Sequence, residues 1–435
     1  MVSQSFSSKG PSGFSVFAAV LRDANCAKLL SSQVLAALGD RINQIAIFSI
    51  IIDQLKNTAK YSADILFWAV LPSVALGPFT LALVDRWNRQ RTMIASDLAR
   101  AILVASLPLL IIFVQHHYII YAVVFWVGAF TAIFNPCRLA ILPNLVSSKL
   151  LMPANVISSQ AGVIASVVVM PIGAYLVGSL GKNVCFLINA VTYGISAFLI
   201  WRLRVNPAFD DPTKPRETRH PVKELQTGLL YIWRTRPVLV YVVFFALIQF
   251  LVGIFFICFL SYTVDVLGLE LLGPALLFVV LSFGMAAGAL VLGRSSVEKG
   301  GYLLPMIAAA ASGAVMLVLS RIHTPLLAGG ALFGLGLCVV MILTPLDTFL
   351  QKNVPDHLRG RVFAARGIFW GALFLVSLQL SKGIIHQLGT LRGLQLTGIA
   401  AVVIGLTGAW IGRRIWANEK RKTSPFEKSL PPEKT

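Results

Sequence analysis

Apolar residues along this chain come in long runs, without the two-residue alternation of strands or the narrow stripe of a surface helix. Runs long enough to cross a bilayer lie at about 28–54, 63–84, 95–115, 118–142, 156–180, 183–203, 238–262, 273–294, 302–320, 325–349, 363–386 and 394–414. Turn residues punctuate them: Pro143 and Pro153, Gly178 with Gly181, Gly268 with Gly273, Gly300 with Gly301, and Gly389. Lipid offers a backbone no hydrogen-bond partner, so every run predicts a helix. The pattern therefore predicts an all-α polytopic membrane protein of about twelve spans.

The longest polar connection carries Arg204, Lys214, Arg216, Arg219, Lys223, Arg234 and Arg236 with Pro207, Pro212, Pro215 and Pro221. It separates six spans from six. The expected organisation is a cytoplasmic tail over 1–27 with a short interfacial helix, a six-helix bundle over 28–203 and a cytoplasmic linker over 204–237. A second bundle over 238–416 and a disordered Lys- and Pro-rich tail over 417–435 complete it. The apolar stretch after Lys9 lacks the small-residue cleavage pattern of a signal peptide.

The two halves carry a trace of duplication. In the loop after span four, Pro136–Leu145 lies on Pro345–Val354 in the loop after span ten. Pro136 falls on Pro345, Asn144 on Asn353 and apolar on apolar, with Arg138 opposite Asp347. A repeated six-span unit predicts two pseudo-symmetric bundles around a midplane cavity, the architecture of many secondary transporters.

Composition supports the membrane reading: 57% of residues are hydrophobic and 13% charged, against roughly 25% charged in soluble domains. A net charge of +19 would suggest nucleic acid if the basic residues formed a patch on a polar domain. Instead most of the 37 Lys and Arg fall in alternate connections, which excludes a nucleic-acid partner and puts both termini in the cytoplasm of a bacterial inner (plasma) membrane. Cys26, Cys137, Cys185, Cys258 and Cys338 form no CxxC pair, so neither a disulfide framework nor a zinc site is expected. The six histidines lack metal-ligand spacing and no Walker sequence occurs, so no metal, cofactor or ATP hydrolysis is expected. No catalytic constellation at a membrane face points to an enzyme. Transport would draw on an ion gradient or the substrate's own gradient, in a monomer whose partners are substrate, protons and lipid.

Asp40 is the first candidate for chemistry. It lies about twelve residues into span one, near the bilayer centre. A charge there costs at least ~2.5–3.5 kcal/mol, so it must face protein or water, where it could exchange a proton or bind a substrate cation. Gln33, Asp40 and Gln44 stand at i, i+7 and i+11, on one helix face. The competing reading is a structural acid paired with Arg41 or with another helix. Gln33, Asn43, Gln44, Asn189, Tyr193, Gln249 and Gln379 are candidates to line the substrate cavity; polar groups within spans more often make an interhelical hydrogen bond, worth ~0.6 kcal/mol. Asp85, Arg86, Arg89, Asp97, Arg100, Arg138, Asp347, Arg359 and Arg361 are candidates for a cytoplasmic gate of ion pairs that break as the halves rock, or for simple topology anchors.

Val84–Arg91, reading Val-Asp-Arg-Trp-Asn-Arg-Gln-Arg, is similar to the acidic–basic loop motif of the major facilitator superfamily. Asn135–Arg138, Leu142–Leu145, Ala154 with Asn155, and above all Gln351–Phe363 resemble the branch containing the enterobactin exporter and macrolide-efflux proteins. The resemblance implies a proton-coupled exporter, an antiporter of an amphipathic drug or siderophore, working by alternating access. It also implies that Asp85 acts as a latch near span eleven. Leu81 stands where the family has a glycine, as does Met170 in the antiporter motif with Pro171 and Gly173. A lysophospholipid-type facilitator and a non-transporting sensor remain the alternatives.

Overall fold

The computed structural model describes residues 22–51, 58–84, 87–114, 118–145, 154, 169, 171–204, 221–269, 272–294 and 303–427. The expected interfacial helix near the N-terminus, the start of span five, most of the linker, Asp85 and Arg86 lie outside them. Apolar runs without a sheet partner become helices, and no strand occurs among the described residues.

The first half of the chain supplies α1 (Ala24–Ile50), α2 (Thr58–Val84), α3 (Arg89–Val114), α4 (Tyr118–Ile141), α5 (Pro171–Leu180) and α6 (Lys182–Trp201). The second half supplies α7 (Pro221–Arg234), α8 (Arg236–Ser261), α9 (Leu272–Arg294), α10 (Leu303–Leu319), α11 (Pro325–Asn353), α12 (Asp356–Leu388) and α13 (Thr390–Glu427). Among the described residues eight helices are long and apolar enough to cross a membrane, and α5 and α10 are shorter apolar helices. Large apolar side chains such as Ile102, Phe113, Tyr175 and Leu326 are exposed, as lipid-facing surfaces require.

The helices gather into two compact units, 1–50 with 75–219, and 51–74 with 220–435. The same neighbour relations recur in both. In the first unit α1 lies beside α6, and α3 beside α6 and α4; in the second α8 lies beside α13, and α10 beside α13 and α11. Gly173 of α5 approaches Ile42 and Ile45 of α1, as α12 packs on α8. Gly181, between α5 and α6, and Gly389, between α12 and α13, both adopt φ of +82°. Only glycine takes that backbone without strain, so the two breaks are the same turn used twice. The duplication is thus visible in the fold.

Three details differ from the sequence reading. The aligned segments around Pro136 and Pro345 are helix ends, not loops: α4 continues to Ile141 before one 3₁₀ turn, and α11 runs to Asn353. The stop comes at Val354, which Pro355 pushes into extended backbone (φ −100°, ψ 127°). The linker ends in the helix α7, whose Leu225, Tyr231 and Ile232 pack with Val238, Leu350, Val362 and Ala365 while Trp233 faces outward. At Gly228 an added Cβ would sit 2.5 Å from the Arg361 carbonyl oxygen, so α7 lies directly on α12. Finally, α13 continues to Glu427, past residue 416, through the helix formers Glu419, Lys420, Arg421 and Lys422.

Candidate functional site

Gly39 allows the site to form. A Cβ at that position would lie 2.0 Å from the Thr192 hydroxyl oxygen and 2.3 Å from the Asn189 side-chain oxygen. Without one, α1 and α6 approach closely, and the next residue, Asp40, meets Tyr193. The fully buried Tyr193 hydroxyl donates a hydrogen bond to the Asp40 carboxylate, which is itself half-buried.

The network continues into α3. Arg100 donates to the Asp97 carboxylate one turn away, and the Ser196 hydroxyl of α6 donates to the other Asp97 oxygen at 2.7 Å. The Arg100 guanidinium lies 4.5 Å from the Tyr193 ring centroid and 4.6 Å from that of Phe134, within cation–π range, and reaches Thr131 of α4 at 3.4 Å. Tyr193 therefore joins Asp40 through its hydroxyl to Arg100 through its ring. Asp97 and Arg100 are 0% and 3% exposed. Four helices share one polar knot in an apolar unit.

Chemically, two carboxylates face the Arg100 guanidinium, and the adjacent Arg41 also bears on Asp40. Counting Asp40, Asp97 and Arg100, the knot carries one net negative charge when both acids are ionised and none when one is protonated. A proton gained or lost there changes the charge held among α1, α3 and α6, where the surroundings screen it poorly.

The remaining candidates are distributed as follows. Asp97 and Arg100, two of the gate candidates, lie in the knot. Because α3 starts at Arg89, Asp97 is eight residues inside it, about 12 Å along the axis. Gln33 accepts from Arg138 at 3.3 Å and Gln44 from Arg41 at 2.8 Å, so the glutamines flanking Asp40 hold arginines. Asn189, fully buried, accepts from Thr192 at 3.2 Å, and Asn43 and Gln379 are half-buried. Arg89 donates to the Ala140 carbonyl at 3.0 Å, tying the start of α3 to the end of α4. Arg359 and Arg361 stand in the first turns of α12. In the second unit Asp347 of α11 accepts from Arg366 of α12, whose guanidinium lies over Phe245 and Phe363 at 4.4 and 4.9 Å. Arg366, Ser196 and Thr131 were not among the candidates. Arg366 had a legible signal, an arginine seven residues after Arg359 on one helix face.

Gln249 lines an apolar cavity of about 280 Å³ in the second unit, with Phe255, Phe256, Phe259, Phe278 and Met316. Among the described residues no charged side chain borders it.

A duplicated set of apolar helices, eight of them among the described residues long enough to cross a membrane, defines a polytopic membrane protein. The family model described as Major Facilitator Superfamily matches residues 29–378, and the chain belongs to that family. It is 24% identical over 402 residues to the uncharacterized MFS-type transporter YfiS of Bacillus subtilis, covering 89% of this chain and 93% of the relative. It is 26% identical over 408 residues to the uncharacterized MFS-type transporter Rv0037c of Mycobacterium tuberculosis, covering 89% and 91%. Among solved structures, the nucleoside transporter NupG superposes with a TM-score of 0.67 at 12% identity, over 88% of this chain and 98% of that one. That likeness is one of fold. The protein is a multi-pass membrane transporter of this family.

Proposed function

We propose that the chain is a proton-coupled exporter of an amphipathic small molecule, of drug or siderophore class, working by alternating access. In this reading it sits in a bacterial inner membrane with both termini in the cytoplasm. The observation that carries it is the polar knot: a carboxylate held by Tyr193, beside an already neutralised Asp97–Arg100 pair, at the contact of α1 with α6. Protonating Asp40 removes the spare charge, and releasing the proton restores it, so occupancy by a proton biases how these helices pack. The apolar cavity around Phe255 and Phe278 suits the hydrophobic part of such a substrate, with Gln249 and Ser312 as its polar lining. The likeness of Gln351–Phe363 to the enterobactin-exporter and macrolide-efflux branch points the same way.

The same uncharged cavity favours one alternative, a facilitator of lysophospholipid-like molecules, whose acyl chain needs no ionic partner. Proteoliposomes with an acidic lumen separate the two. Ethidium, a macrolide, a catecholate siderophore and a lysophospholipid serve as probes. Ethidium carries a permanent charge, so acidity alone does not trap it. Export in exchange for protons predicts accumulation of at least one non-lipid probe above empty liposomes, abolished by a protonophore. Movement of the lysophospholipid alone, unaffected by the protonophore, would transfer the assignment to the facilitator.

A further inference from the structure

Helix α2 is divided between the two units. Its residues up to Val74 group with the second unit and those from Ala75 with the first. The boundary falls between Pro72 and Pro78. Each proline lacks the N–H that would bond the carbonyl four residues earlier, which frees the Trp68 and Val74 carbonyls and makes the helix easy to bend there. Between them Gly77 has no described atom within 4 Å of where a Cβ would sit.

The first half of α2 lies along α12 and α8. Lys382 of α12 donates to the Asp64 carboxylate at 2.6 Å. Ala59 and Ala63 pack on Ile257 and Leu378, and Val74 fits against Gly371, where a Cβ would come within 2.5 Å. At the first turn the Thr58 hydroxyl lies 3.5 Å from Asp265. Behind that turn is a cavity of about 540 Å³ lined by Thr58, Lys60, Asp265, Lys382, His386 and Thr390.

We propose that Lys382 and Asp64 form a latch that holds the first half of α2 on α12, and that its release lets this half swing about the Pro72–Pro78 hinge and open the cavity behind it. The inference rests on the transporter reading, since a carrier must open and close at the end where this cavity lies. Lys382 and Asp64 are 25% and 17% exposed, so water can take up both charges when they part. The Asp97–Arg100 pair is 0% and 3% exposed, so parting it would leave buried charges uncompensated. Next to the Lys382–Asp64 pair, Ala59 and Ala63, flanked by Leu66 and Phe67, make the apolar part of the contact.

The test is thiol labelling of the full-length protein in membrane vesicles open to that end, with Thr390→Cys as reporter and a charged, membrane-impermeant maleimide. The five native cysteines are buried, which keeps background low. Asp64→Asn and Lys382→Met should each raise the labelling rate roughly fivefold, the factor that ~1 kcal/mol produces. The exchange Asp64→Lys with Lys382→Asp should return it to the parent rate, as should Lys382→Arg alone, which preserves the pair should the exchange fail to assemble. Parent-rate labelling in both single variants, or fast labelling in Lys382→Arg, would overturn the latch. Straightening the hinge with Pro72→Ala, Gly77→Ala and Pro78→Ala should slow labelling of the unlatched variants; no change would overturn the hinge. Labelling needs neither substrate nor pH gradient, so it can fail while proton-coupled export stands, and the reverse.

Discussion

Asp40→Asn removes pH-gradient-driven transport, bringing probe accumulation in proteoliposomes down to that of empty liposomes, while the protein still inserts and stays monodisperse. The amide is nearly the same size as the carboxyl, and its oxygen can still accept from Tyr193. Packing between α1 and α6 is therefore kept; what is lost is a group that binds and releases a proton. A variant that transports normally would remove Asp40 from the mechanism and leave it a structural acid. Downhill flux of the same probe, without a pH gradient, should survive in Asp40→Asn, since the apolar cavity is untouched.

The second large effect concerns stability. Arg100→Met leaves the buried Asp97 without its guanidinium, with Ser196 as the remaining hydrogen-bond donor in the knot. Removing one partner of a buried pair costs about 3–5 kcal/mol, because the charge left behind is uncompensated. The variant should lose its monodisperse fraction at a clearly lower temperature in detergent. Asp97→Asn combined with Arg100→Met should recover most of that loss, since no lone charge remains. A single variant as stable as the parent would mean that water reaches Asp97.

Much of the fold was legible because the bilayer imposes one rule on every span. Runs such as 118–142 and 183–203 became α4 and α6 within a few residues. Gly181 and Gly389 marked breaks because no other residue takes their backbone cheaply. Polar helices were harder. The start of α3 contains Arg89 and Arg91, so a hydropathy threshold begins the span near residue 95, about six residues late, and leaves both arginines in the loop. α7 was hidden among prolines and charges, although Leu225, Leu229 and Ile232 keep a helical spacing.

The site was half legible. Asp40 stood out as an acid deep in an apolar run, and Tyr193 as a polar ring in another. That they meet depends on Gly39, whose role is a contact between α1 and α6, about 150 residues apart in the chain, which no local pattern encodes. The same signal that marks Asp40, a charge inside an apolar run, also marks Asp64 and Lys382. Their significance comes from the distance between them, which the sequence does not carry.

The central claim is that Asp40 takes up and gives back a proton within the knot. Infrared difference spectroscopy across a pH titration reads this directly, without a substrate, through the carbonyl stretch of a protonated carboxyl group. The account predicts a band that grows as pH falls, shifts in Tyr193→Phe and disappears in Asp40→Asn. A titrating band unaltered by Asp40→Asn, or no titrating carboxyl in the parent protein, would contradict it.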